Sequence, residues 1–175
     1  MPKKIRLSTD KVVAIAAIVI SVCALVTTVY QTIILKKEQH ASVWPRISLL
    51  HTWRTGTNES HYRLTLSNLG LGPAIIEDYK IIHKDSSFVN FASLSKNIAK
   101  EAGLADSLAY EDYMDLFGDQ VVPHNKTFVV LYISNKNQIE AFLKELKHIH
   151  IEIKYKSLYD DTFQVEYPNV NHKTL

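Results

Sequence analysis

The pattern of apolar and polar positions divides the chain into one long unbroken apolar run followed by short periodic segments. Residues 12–35 carry no charged side chain. At ~1.5 Å rise per residue such a run exceeds the ~30 Å hydrocarbon core of a bilayer, so it predicts a membrane-spanning helix. A secretory leader has a shorter apolar region and a small-residue cleavage site. Here the run continues through Tyr30 and Gln31 to Lys36 and Lys37, and the helix is expected to be retained.

Beyond a basic, helical exit over residues 36–40, Pro45 removes an N–H and disfavours helix at Trp44, which marks the start of a strand over residues 46–54. Residues 56–60 read as a polar turn. Tyr62, Leu64 and Leu66 then alternate with Arg63, Thr65 and Ser67, the period of a half-buried strand, and the two strands predict a hairpin. In the segment Asn68-Leu69-Gly70-Leu71-Gly72-Pro73 the glycines permit backbone angles closed to other residues, and Pro73 leads into a strand over residues 74–83. Its spacing fits no phosphate-binding loop, no Lys-Ser or Lys-Thr follows, and it runs into a strand rather than a helix. A structural connection is therefore expected.

Residues 86–120 are the least regular. A helix is predicted over residues 91–102, with Phe91, Leu94 and Ile98 on one face, and a second short one over residues 108–117. A strand over residues 127–133 resumes the sheet. Asn137 to Glu140 reads as a capping box that opens a helix with Ile139, Phe142, Leu143 and Leu146 facing inward. Strict alternation of Ile149, Ile151, Ile153 and Tyr155 with polar residues predicts a strand over residues 148–156. Its hairpin partner carries Phe163, Val165 and Tyr167 and stops at Pro168.

The expected class is α+β: one N-terminal transmembrane helix, then a mainly antiparallel β-sheet domain with two or three packed helices. The divisions are a basic N-terminus (1–11), the span (12–35), a juxtamembrane linker (36–43), a soluble domain (44–168) and a frayed tail (169–175).

Composition adds three constraints. A length of 175 residues leaves room for one domain beside the anchor. A formal charge of +2 is too small for a surface that coats nucleic acid, so no direct DNA binding is expected, although eight His and scattered Lys leave room for a local anion pocket. The one cysteine, Cys23, lies in the apolar run, so the domain has no internal disulfide, which fits the cytosolic side of a membrane. The flanking charges (Lys3, Lys4, Arg6 and Lys11 before the span; Lys36, Lys37 and Arg46 after it) are nearly balanced and leave the orientation open.

Ala17, Ser21, Ala24, Thr28 and Gln31 recur at spacings of three and four along the span. Such a stripe suits helix-to-helix contact, with Ser21, Thr28 and Gln31 available to wet a central pore. The plainer reading is that this face touches lipid.

Chemistry is sparse. His148 and His150 fall on one strand face, but no carboxylate or thiolate at metal spacing accompanies them, and no metal is expected. The cysteine is in the membrane and no Gly-x-Ser-x-Gly elbow exists, so no hydrolase signature is present and a non-enzyme without cofactor is expected. Glu111, Asp112 and Asp115, mixed with Tyr110, Tyr113 and Met114, read as the wet and buried sides of a short helix rather than a catalytic carboxylate pair. What remains is His51, Trp53 and Arg54 on one strand and Lys84, next to His83, at the end of another. Aromatic faces stack on bases and cations meet phosphates, so these four residues are the candidate nucleotide contacts. His51 and Trp53 also share a face with Ile47 and Leu49, which allows simple core packing instead.

Three segments carry a family likeness: His-Ala-Ser-Val-Trp-Pro-Arg-Ile-Ser-Leu (residues 40–49), Leu-Ser-Asn-Leu-Gly-Leu-Gly-Pro-Ala-Ile-Ile (66–76) and Ile-Lys-Tyr-Lys-Ser-Leu-Tyr-Asp (153–160). Together with the anchor they resemble small bacterial single-anchor proteins linked to anti-phage defence. The chain is most similar to the type III CRISPR-associated membrane effectors that bind cyclic tetra-adenylate. The resemblance implies an inner-membrane protein with a cytoplasmic sensing domain and a homo-oligomer, with a tetramer favoured. It also implies a cyclic-nucleotide second messenger as ligand and membrane disruption as outcome. It carries over no ligand residue. Two other classes stand beside it: a membrane-tethered module that docks a partner protein on its sheet edge or hairpin, and a hydrolase without a recognised signature.

Overall fold

The computed structural model describes residues 8–56, 59–104 and 115–168, and the backbone of 171–174. The chain forms two compact units, Met1–Ala41 and Ser42–Leu175. The first is dominated by helix α1 (Thr9–Ser42), 34 residues long with none buried. It contains no Gly or Pro, is apolar on every side over its central turns, and reaches a mean hydropathy of 2.8, so it is long and apolar enough to span a membrane. Helix continues through the basic segment after Leu35 and stops three residues before Pro45.

Among the described residues the second unit holds nine strands: β1 (Ile47–Thr55), β2 (Ser60–Asn68), β3 (Ala74–His83), β4 (Ser86–Phe88), β5 (Val121–Val122), β6 (Thr127–Ile133), β7 (Ile149–Lys156), β8 (Thr162–Tyr167) and β9 (Asn171–Thr174). It also holds helices α2 (Phe91–Glu101) and α3 (Lys136–Glu145), the latter followed by a 3₁₀ turn, Leu146–His148. The α+β layout and the antiparallel pairing agree with the sequence pattern. The strands form two sheets. One has three strands in the order β1-β2-β6; the other has six, in the order β4-β3-β7-β8-β9 with β5 on β3. The strand over residues 127–133 thus returns to the first hairpin, with Tyr62 opposite Ile133 and Leu66 opposite Phe128, while β3 crosses to β7.

Side-chain alternation gives each sheet one apolar face, and the two faces share a single core. Leu49, Leu64 and Leu66 come from one sheet; Ile76, Ile151, Ile153 and Val165 from the other. Phe91, Leu94 and Ile98 of α2 and Ile139 and Phe142 of α3 complete it. Each such side chain contributes about 1.5–3 kcal/mol relative to exposure.

Two expectations about segment ends change. The capping box belongs to α2, where Asn90 Oδ1 accepts from Ser93 N at 2.8 Å and Ser93 Oγ from Asn90 N at 3.3 Å. Helix α3 is capped two residues earlier than its sequence suggests: Asn135 Oδ1 accepts from Asn137 N and Gln138 N. Either Asn can cap, and the helix takes the earlier one. The expected tail is partly a strand, since β9 pairs with β8, Glu166 opposite Asn171 and Phe163 opposite Thr174. Without it, β8 would leave a row of backbone donors and acceptors unpaired. The short helix expected over residues 108–117 falls mostly outside the described residues, as do Tyr110, Glu111, Asp112, Tyr113 and Met114; Asp115 to Phe117 is not helical.

Candidate functional site

Three places in the domain combine chemistry with position. The first is the joint where the chain arrives from α1. Asn68, fully buried at the end of β2, donates from Nδ2 to Gly72 O (2.8 Å) and Val122 O (3.0 Å). Its Oδ1 accepts from Arg46 N (3.1 Å) and Gly70 N (3.0 Å). Around this hub the loop pairs with the arriving segment: Leu69 N donates to Arg46 O and Leu71 N to Trp44 O, both at 2.8 Å. The glycines are needed for clearance. A Cβ at Gly70 would lie 2.3 Å from Arg46 N, and one at Gly72 would lie 2.0 Å from Val43 O. The segment read as a structural connection is a clamp that fixes residues 43–46.

The second place is the far half of β1, which holds three of the four expected ligand residues. His51 is half-buried, stacked between Trp53 (5.3 Å) and Tyr62 (6.2 Å), with Tyr167 edge-on and its hydroxyl hydrogen-bonded to Nδ1. Burial lowers the His51 pKa, so the neutral ring is favoured. Trp53 packs on His51 with one side while half of it stays exposed. Arg54 is exposed and makes no ion pair among the described residues. Below them the Tyr62 hydroxyl is buried beside that of Tyr167 without a hydrogen bond of regular geometry, and burial first, then Tyr167, pushes its pKa up. The core-packing reading thus fits His51 more than Trp53.

The third place is the end of β3. Lys84, at a left-handed φ of 55°, reaches Glu101 of α2 (2.8 Å) and Glu145 of α3 (3.2 Å). Glu145 also accepts from buried His83 Nε2 (3.0 Å) and lies 3.2 Å from His148 Nδ1. Hydrogen bonds from His83 first, then Lys84, hold the Glu145 carboxyl down at about 2. A cleft of about 520 Å³ beside them is lined by Lys84, Lys144, Glu101, Glu140, Glu145 and Asn137, among others. Its three carboxylates outnumber its two lysines, so it is no anion pocket. Lys84 is already neutralised, and no contact among the described residues joins it to His51, Trp53 or Arg54. His148 lies in the 3₁₀ turn and His150 on β7 opposite Ile82, so the two do not share a strand. No group of three metal-ligating side chains forms among the described residues.

On α1 the stripe hydroxyls are used within the helix: Ser21 Oγ donates to Ala17 O (2.8 Å) and Thr28 Oγ1 to Ala24 O (2.9 Å). Gln31, by contrast, has no partner among the described residues. A primary amide left unpaired in hydrocarbon favours a neighbouring helix.

No family model matches the chain, and no curated protein or solved structure matches it either. Sequence reasoning missed Asn68 as a hub and the carboxylates around Lys84. For the first, the signal was an Asn beside two closely spaced glycines, a residue whose side chain bonds local backbone.

Proposed function

We propose that the protein is a membrane-anchored sensing effector, in which α1 holds the chain in the bilayer and the far half of β1 receives a nucleotide second messenger. The observation that carries this reading is the course of one strand. Clamped at its start through Arg46, β1 is nine residues long and carries His51, Trp53 and Arg54 roughly 17–26 Å further along. A ligand held at those residues acts on the strand that continues into the anchor. Trp53 offers a free ring face for a base, and Arg54 an uncompensated cation for a phosphate. Lys84, tied to two glutamates, is left out of the site.

Mechanistically this is a population shift: the messenger favours one arrangement of anchor helices by its differential affinity, about 1.4 kcal/mol for each tenfold. Gln31 gives the helices a reason to associate. The resemblance supplies the finer statement: a cyclic oligoadenylate as ligand, a homo-oligomer with fewer than one ligand per chain, the inner membrane as site, and membrane leakage with cell arrest as outcome. Calorimetry on the full chain in nanodiscs, with cyclic tetra-adenylate as probe, tests it. Binding is expected below one ligand per chain. Trp53→Ala and Arg54→Ala should each weaken it by about 5- to 150-fold (roughly 1–3 kcal/mol). Absence of binding rejects the nucleotide reading.

A second reading rests on a different observation. β1 is an edge strand of the three-stranded sheet and exposes Leu50 and Trp53, which suits a partner protein adding a strand there. Leu50→Lys would put a charge on that surface, and loss of a partner together with unchanged nucleotide response would favour docking.

A further inference from the structure

Large apolar side chains crowd one rim of the domain. Leu69 (57% exposed) and Leu71 (66%) sit on the loop after β2, Trp44 (54%) on the arriving segment, Val121 on β5, and Leu158 (57%) and Tyr159 on the turn after β7. Backbone and ring contacts tie these segments together. Leu71 N donates to Trp44 O, the Trp44 ring stacks on Phe163 at 5.9 Å, and Val122 O accepts from Asn68. Ile75 at the start of β3 lies opposite both Val121 and Lys156, the last residue before the turn.

The turns do not need these apolar residues. In the β7-β8 turn Ser157 Oγ accepts from Tyr159 N and Asp161 N, and Asp160 takes the left-handed conformation at φ 61°. Ser157, Asp160 and Asp161 therefore set the geometry, and Leu158 is free to be polar. In the loop after β2, Asn68, Gly70 and Gly72 set it, and Leu69 and Leu71 are equally free. Scattered surface apolar residues are ordinary, but a rim drawn from four segments is an interaction surface.

Chain connectivity says which. The rim includes Trp44, two residues beyond Ser42, where α1 ends. From Leu35 to Ser42 the helix adds about 10 Å at ~1.5 Å per residue. That is on the order of the headgroup layer, since a bilayer of ~40–45 Å has a core of ~30 Å. Trp, Tyr and Leu beside uncompensated cations are the side chains found at such a boundary. Arg46 and Lys126 make no ion pair among the described residues and supply the cations.

We propose that this rim seats on the lipid surface, with Trp44, Leu69, Leu71, Leu158 and Tyr159 among the headgroups and Arg46 and Lys126 toward lipid phosphates. This rests on reading α1 as the membrane span, and it adds a second, interfacial contact that fixes which end of the domain meets the bilayer.

The chain's two tryptophans make the test internal, because Trp44 is on the rim and Trp53 is on the far half of β1. The full-length chain is reconstituted into vesicles of phosphatidylcholine with phosphatidylglycerol, as Trp53→Phe (reporting Trp44) and as Trp44→Phe (reporting Trp53). Carbonate extraction first establishes membrane retention, and a chain found in the supernatant rejects the anchor reading itself. With the chain retained, a lipid carrying a headgroup-level nitroxide should quench Trp44 at least two-fold more than Trp53, and Leu71→Asp with Leu158→Asp should remove that difference. Equal quenching of the two tryptophans in a retained chain overturns the proposal while leaving the anchor intact. So does a Trp44 signal that responds to protein dilution rather than to the quencher lipid, which would assign the rim to a second copy.

Discussion

The joint end of the domain and the charged end at Lys84 are built on different physics. At the joint, backbone groups and one amide side chain make the contacts, glycines supply clearance, and no ion pair takes part in the clamp. At the other end of β3, three ionisable side chains, His83, Lys84 and His148, converge on a single carboxylate, Glu145, and the strand is followed by a left-handed turn. Buried neutral hydrogen bonds resist changes of pH and salt, whereas half-exposed ion pairs respond to both. A domain made this way has one end insensitive to pH and salt and one end that responds to both.

The largest expected effect falls at the joint. Asn68→Ala would orphan Arg46 N, Gly70 N, Gly72 O and Val122 O together, and should cost about 3–5 kcal/mol in urea unfolding of the solubilised chain. A loss no greater than that of a surface substitution such as Lys96→Ala would show that the clamp is incidental.

A smaller effect separates the ends by pH. The folded-state pKa of Glu145 is depressed to about 2, below an unfolded value of about 4.3, so its contribution is present above the unfolded value and disappears as pH falls toward the folded one. Unfolding measured from pH 6 to pH 2.5 should therefore show a loss of stability that Glu145→Gln removes and Asn68→Ala leaves in place. An identical pH slope in wild type and Glu145→Gln would dissolve the contrast.

The smallest effect has the opposite sign. Tyr62 packs on Phe142 at 4.9 Å, and its hydroxyl is buried beside that of Tyr167 without a hydrogen bond of regular geometry. Tyr62→Phe keeps the ring and removes this poorly paired group, so it should be neutral or stabilise by up to about 1 kcal/mol by thermal melting. A clear destabilisation would mean that the hydroxyl is bonded after all.

Much of the fold was legible because periodicity reports burial. Residues 12–35 as a long apolar helix, the Ile149-to-Tyr155 alternation and the β1-β2 hairpin are one-dimensional signals of three-dimensional structure. Pairing was less legible: nothing local in Thr127 to Ile133 says that it joins β2 rather than the strands around β7, and two-residue β5 has no periodicity to read. Of the candidate site, the placing of His51, Trp53 and Arg54 on one strand could be read, but the exposure of Trp53 and the state of Lys84 could not. Its counter-ions arrive from α2 and α3, and a cation's availability depends on what folding brings beside it. The clamp was half visible: the glycines advertised a close approach, while the partner they admit, residues 43–46, is defined only by tertiary hydrogen bonds.

Tyr155 of β7 reaches across the core so that its hydroxyl accepts from Ile47 N at 3.3 Å, a pairing separated by 108 residues. Translated in time, that separation is a schedule. At ~5–20 residues per second, roughly 5–20 s pass between the emergence of β1 and that of the side chain that completes it. The apolar helix is made first and is ready for the bilayer while the strand behind it holds only its hairpin partner. The long apolar helix thus precedes the latch, and every nascent copy passes through a stage in which that helix is complete but the last third of the sequence has yet to close the fold.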